Sequence, residues 1–131
     1  MRKNEYILKW GGKVKEILSV TSALSDEIRL RIINILFQSD LYVCEMVDIL
    51  ELPQSTVSRH LTILKNANIV EDTKNGLWVK YALIKNRMYD NIIKALVKEE
   101  LLNTQKCKDD LAKVKARIEK DRGCKGNCKG V

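Results

Sequence analysis

The sequence predicts a mainly α fold carrying one small β-hairpin, and three observations predict it. Apolar residues recur at helical spacing through most of the chain. Two short apolar helices are separated by a turn of three or four residues, around the only proline, Pro53. Directly after them the apolar period drops from 3.6 to 2 around an Asn-Gly pair, Asn75-Gly76. The 131 residues suit one ordinary core, and 45% hydrophobic with 31% charged residues reads as globular rather than disordered.

Taken in order, Tyr6, Ile7, Trp10, Val14, Ile17 and Leu18 predict a first helix over about 5–20. Gly11 and Gly12 weaken it alone, so it needs a partner surface. Ser25 is placed to cap a second helix, with Asp26 and Glu27 in its first turn and Ile28, Ile32, Ile35 and Leu36 facing inward. It should end near Ser39-Asp40. A third, short helix runs from about Val43 to Leu50, with Val43, Met46, Val47 and Leu50 on one stripe and Glu45 and Asp48 on a solvated face. After Glu51-Leu52-Pro53, a fourth helix spans about 54–67 and buries Val57, Leu61 and Leu64. Ile69-Val70 and Leu77–Leu83 read as strands joined through Asp72–Gly76. A further helix over about 86–102 presents Met88, Ile92, Ile93, Leu96, Val97 and Leu101. A last amphipathic stretch with Leu111, Val114 and Ile118 ends at Gly123, before an aperiodic tail. The expected division is a winged helix-turn-helix unit over 1–103 and a helical extension with a Cys-containing tail over 104–131.

Charge points to the partner. Lys and Arg number 24 against 17 Asp and Glu, a net +7, which favours a polyanion. Its placement matters more than its sum. The fourth helix presents Gln54, Ser55, Thr56, Ser58, Arg59 and His60 beside its buried stripe, with Lys65, Lys74 and Lys80 around it. Gln pairs bidentately with adenine, Arg with guanine, and Ser or Thr with base or phosphate. A helix-turn-helix followed by a hairpin is a wing arrangement, so the expected partner is double-stranded DNA.

Three ordered segments resemble the ArsR/SmtB family: Ala23–Ile32 (ALSDEIRLRI), Ser55–Leu61 (STVSRHL) and Gly76–Tyr81 (GLWVKY). The resemblance covers roughly residues 15–100. It implies a homodimeric repressor, paired through its first and last helices, that leaves its operator when a metal or metalloid binds. It also implies that residues 54–60 enter the major groove and that Lys74, Asn75 and Gly76 form the wing tip.

The thiols suggest the signal. Arsenic-sensing members of that family carry Cys-Val-Cys-Asp-Leu-Cys where this chain reads Tyr42-Val43-Cys44-Glu45-Met46-Val47, so only the middle cysteine is present. Three more follow, Cys107, Cys124 and Cys128, and soft ions such as As(III), Sb(III), Cd(II) or Pb(II) select thiolates. Cys44 with Cys124 and Cys128 would supply three sulfurs, with Cys107 a fourth candidate. Lys125 and Lys129 flank the tail pair and favour thiolate. Cys44 lies about 100° around the helix from Val43, which favours an accessible thiol, although a lone Cys also fills cores. The same cysteines would serve an oxidant- or sulfide-responsive repressor through a disulfide or polysulfide.

Other classes fare worse. No Gly-rich phosphate loop and no Cys with a His or acid partner is apparent, so no enzyme is expected. Residues 86–103 hold no His, which argues against a zinc or nickel site on that helix. No signal-peptide core or membrane-spanning run appears, so the expectation is a cytoplasmic chain with reduced cysteines and no membrane partner.

Overall fold

Helix α1 (Lys3–Ala23) leads the chain, and Asp26 rather than Ser25 begins the next helix. In the computed structural model, which describes residues 3–85 and 89–120 and side chains within them from residue 12 onward, Asp26 has extended backbone. Its Oδ1 accepts the Ile28 and Arg29 N–H groups at 2.8 and 3.1 Å. Ser25 instead donates its hydroxyl back to the Thr21 carbonyl. A carboxylate caps as well as a hydroxyl and adds charge where the helix end is positive, which moves the boundary by one residue. Helix α2 (Glu27–Gln38) is central: α3, α4, α6 and the hairpin all touch it, and every residue from Arg31 to Leu36 is buried. The expected one-sided stripe therefore understates it.

Strand β1 (Leu41–Tyr42) enters α3 (Val43–Leu50), and a turn leads to α4 (Gln54–Asn66). Glu51 makes that turn in the left-handed region, φ 55° and ψ 47°, an uncommon setting for a residue with a Cβ. Strands β2 (Val70–Asn75) and β3 (Trp78–Leu83) form an antiparallel pair, and β1 adds to the other side of β3 in the order β1-β3-β2. The two-residue β1, Leu41 opposite Tyr81, is too short for periodicity to reveal. Asn75 pairs with Trp78, so the loop is Gly76-Leu77 and not Asn75-Gly76. Gly76 takes φ +68°, the positive value a primed turn needs at its first loop position.

After the hairpin come α5 (Asp90–Ala95), a wide π-type turn over Leu96–Glu100, and a tight 3-10 turn over Leu101–Asn103. The sequence predicts one continuous helix there. Met88, on that predicted face, lies outside the described residues. Thr104 is extended and breaks the run before α6 (Gln105–Glu119). Helix α6 turns Cys107, Asp110, Leu111 and Val114 inward, while the expected inward Ile118 is exposed.

A buried ion pair fastens α6 to α2. Arg31 Nε and Nη2 reach Asp110 Oδ2 and Oδ1 at 2.9 and 3.0 Å, and Nη2 also donates to the Leu50 carbonyl. Both side chains are buried, and this two-pronged geometry is what makes such a pair tolerable away from water. Helix α6 also grips α3: Arg117 Nη1 lies 3.2 Å from Asp48, and Lys113 bonds Glu51. Among the described residues no helix is long and apolar enough to cross a membrane.

Candidate nucleic-acid interface

Helix α4 is seated by Val57, Leu61 and Leu64, all fully buried at the predicted spacing. This fixes which side chains face out. Gln54, Ser55 and Arg59 are exposed, and Thr56 and Ser58 are half-buried at the margins. Pro53 at the N-cap has no side chain to accept from the first turn, so the Gln54 and Ser55 N–H groups are uncapped by side chains at the positive helix end.

His60 corrects the sequence reading. Only 5% exposed, it faces inward, with Nδ1 3.1 Å from Arg29 Nη1 and 3.8 Å from Asp26 Oδ1. Burial holds its pKa below 6.5; Asp26 opposes that shift, and the Arg29 and Arg59 charges add to it.

The hairpin supplies the second exposed edge. Lys74, Asn75 and Gly76 are exposed at its tip, next to Leu77. The other two lysines expected to surround the interface are occupied: Lys65 pairs with Asp72 at 2.9 Å, and Lys80 lies over the Tyr42 ring. Tyr42 also meets Trp78 edge-on at 5.6 Å and accepts a hydrogen bond from Asn75 Nδ2 at 3.3 Å. Residue 42, just before the third helix, thus touches the wing at three places.

The cysteines separate. Cys44 lies half-buried in the first turn of α3 and is disulfide-bonded. Cys107 is a free thiol in the core, 3% exposed, its pKa raised by burial and then by Asp110. That is the setting of a weakly reactive thiol. Cys124 and Cys128 lie outside the described residues. Among the described residues no group of three or more His, Cys, Asp or Glu is arranged to hold a metal ion.

Residues 26–72 match the family described as bacterial regulatory protein, arsR family. An HTH-type transcriptional regulator of Methanocaldococcus jannaschii is 36% identical over 81 residues, 61% of this chain and 91% of that one. The chain belongs to the ArsR family. An arsenic resistance transcriptional regulator of Pseudomonas putida is 42% identical over 56% of this chain and 60% of its own length. A cadmium resistance transcriptional regulatory protein of Staphylococcus aureus is 35% identical over 67% and 69%. Among solved structures, HlyU from Vibrio cholerae superposes with a TM-score of 0.59 at 30% identity, covering 64% of this chain and 90% of HlyU. Its reduced form gives 0.58 at 29%, covering 65% and 88%.

As an ArsR-family member this chain is a DNA-binding transcriptional regulator of the winged-helix type, not an enzyme. Several residues of its ArsR core escape sequence reading. Glu45, expected on a solvated face, is fully buried, its Oε1 accepting the Tyr42 N–H at 2.9 Å. Its polar start pattern, a carboxylate three residues into a helix, is the one signal that could have revealed it. The Arg29–His60 contact and the wing contacts of Tyr42 carry no such signal, because they join residues 31 and 33–38 positions apart.

Proposed function

We propose that this ArsR-family chain is a homodimeric repressor that reads an operator with α4 and the wing and releases it when Cys44 and the tail thiols capture a thiophilic metalloid, As(III) or Sb(III). What carries the DNA reading is the exposed set Gln54, Ser55 and Arg59 beside an exposed Lys74–Gly76 tip, with Thr56 and Ser58 at the margin. The homodimer is supported by exposed Ile17 and Leu18 on α1 and Ile92 on α5, apolar area that a second copy would cover. Two such heads would address successive major grooves roughly 34 Å apart.

For the effector, the support is the half-buried Cys44 at the start of α3 and the names of two relatives, an arsenic resistance and a cadmium resistance regulator. Reduced Cys44, Cys124 and Cys128 form a donor set matched to three-coordinate As(III) or Sb(III), with Cd(II) and Pb(II) the alternatives. The disulfide at Cys44 supports a second reading, a redox-responsive repressor. There Cys44 and a second cysteine of this set each give up one proton and one electron to a peroxide- or polysulfide-type oxidant, and a reducing thiol restores them.

Fluorescence anisotropy of the reduced protein on its own promoter DNA tests both. Release by micromolar arsenite, lost in Cys44→Ser, supports the metalloid reading. Release by cadmium alone transfers it to the softer divalent ions. Release by oxidant alone, reversed by reductant, establishes the second reading and ends the first.

A further inference from the structure

His60 belongs to a latch at the junction of α1, α2 and α4. The guanidinium of Arg29 is its node. Nε donates to the Ala23 carbonyl at 2.6 Å and Nη2 to the Ser22 carbonyl at 3.5 Å, both at the negative end of α1. Nη1 faces His60 Nδ1 at 3.1 Å, while Asp26, which caps α2, lies 3.9 Å away. Arginine offers only donors and stays charged, so a hydrogen bond to Nδ1 requires that nitrogen to be an acceptor. The geometry therefore specifies a neutral imidazole with its proton on Nε2. Protonation at Nδ1 would set a donor against a donor.

We infer that neutral His60 is a positioning residue for operator reading, locking α4 to the α1–α2 junction, and that protonating it releases the lock. Arg59 and His60 are consecutive, about 100° apart around the helix, so holding one inward fixes the outward bearing of the other. The charged groups that face the imidazole are Asp26 and Arg29 from α2 and Arg59 from its own helix; from α1 the junction receives the Ser22 and Ala23 carbonyls. Two cations and burial oppose protonation and one carboxylate favours it, so the latch is closed at neutral pH.

His60 is the chain's single histidine, so no other side chain has its ordinary titration between pH 5 and 7. The test uses the full chain, a duplex selected from a random library, and a scrambled duplex at the same salt. The scrambled duplex removes the general attraction of a new positive charge for phosphate. From pH 7.5 to 5, the ratio of selected to scrambled affinity should fall about fivefold or more. His60→Gln, which keeps a neutral acceptor, should hold the ratio near its neutral-pH value throughout. An unchanged ratio in the native chain, or the same fall in His60→Gln, overturns the inference. Should that variant not fold, NMR of the lone imidazole decides: its pKa must be lower on the selected than on the scrambled duplex, and equal or higher values overturn the inference.

Discussion

Arg59 and His60 share a peptide bond and have opposite surroundings, one exposed at the face of α4 and the other sealed beneath it. The difference has measurable sides. Arg59→Ala should cost about 1–3 kcal/mol of specific operator affinity, read by anisotropy, and leave the melting temperature nearly unchanged. His60 also acts on stability. Because burial holds its folded pKa below 6.5, the unfolded chain takes up a proton first as pH falls. Stability from this group is complete above 6.5 and is lost as pH drops towards the folded pKa. Urea unfolding between pH 7 and 5 should show that fall, and His60→Gln should flatten it. The stripe Val57, Leu61, Leu64 is legible because burial of apolar groups follows helix period. The burial of His60 is not, because a polar side chain goes inside only where a partner satisfies it, and the Arg29 beside it lies 31 residues away.

At the scale of elements, the hairpin and α3 are not independent. Tyr42 at the start of α3 holds Trp78, Lys80 and Asn75 of the wing. Tyr42→Ala should remove about 0.5–1.5 kcal/mol of that contact and speed amide exchange in β2 and β3 more than in α4. The clasp between α2 and α6 is a larger matter. Asp110→Asn leaves a buried Arg31 charge without its counterion and should destabilise the chain by about 3–5 kcal/mol in urea. Pairing Arg31→Met with Asp110→Leu should recover much of the loss. Element types are legible here, and their joints are less so. Asn-Gly announces the hairpin, yet the register moves the loop one residue on, to Gly76-Leu77. Nothing between Asp90 and Asn103 is Gly or Pro, so apolar period continues where the backbone widens and then tightens.

For the molecule as a whole, the exposed Ile17, Leu18 and Ile92 matter more than any single contact. Ile17→Glu with Leu18→Glu should convert the proposed dimer to monomer in sedimentation. Operator affinity should fall with it, since each monomer carries one reading head. The family and its DNA partner are legible because three separate segments agree in order, and agreement across levels is what a specified fold produces. The effector is less legible, because a thiol's role depends on which thiols meet, and sequence spacing does not fix that for Cys44 and a tail some 80 residues later.

The Arg31–Asp110 pair also governs time. It joins residues 79 apart, so a long loop must close before it can form, whereas the helix-turn-helix and hairpin are assembled from near neighbours. Contacts made after the barrier is crossed slow escape from the native state without hastening arrival. The clasp is therefore expected among the late contacts that slow unfolding. Its loss in Asp110→Asn should appear in the unfolding limb of a chevron, with the refolding limb little changed.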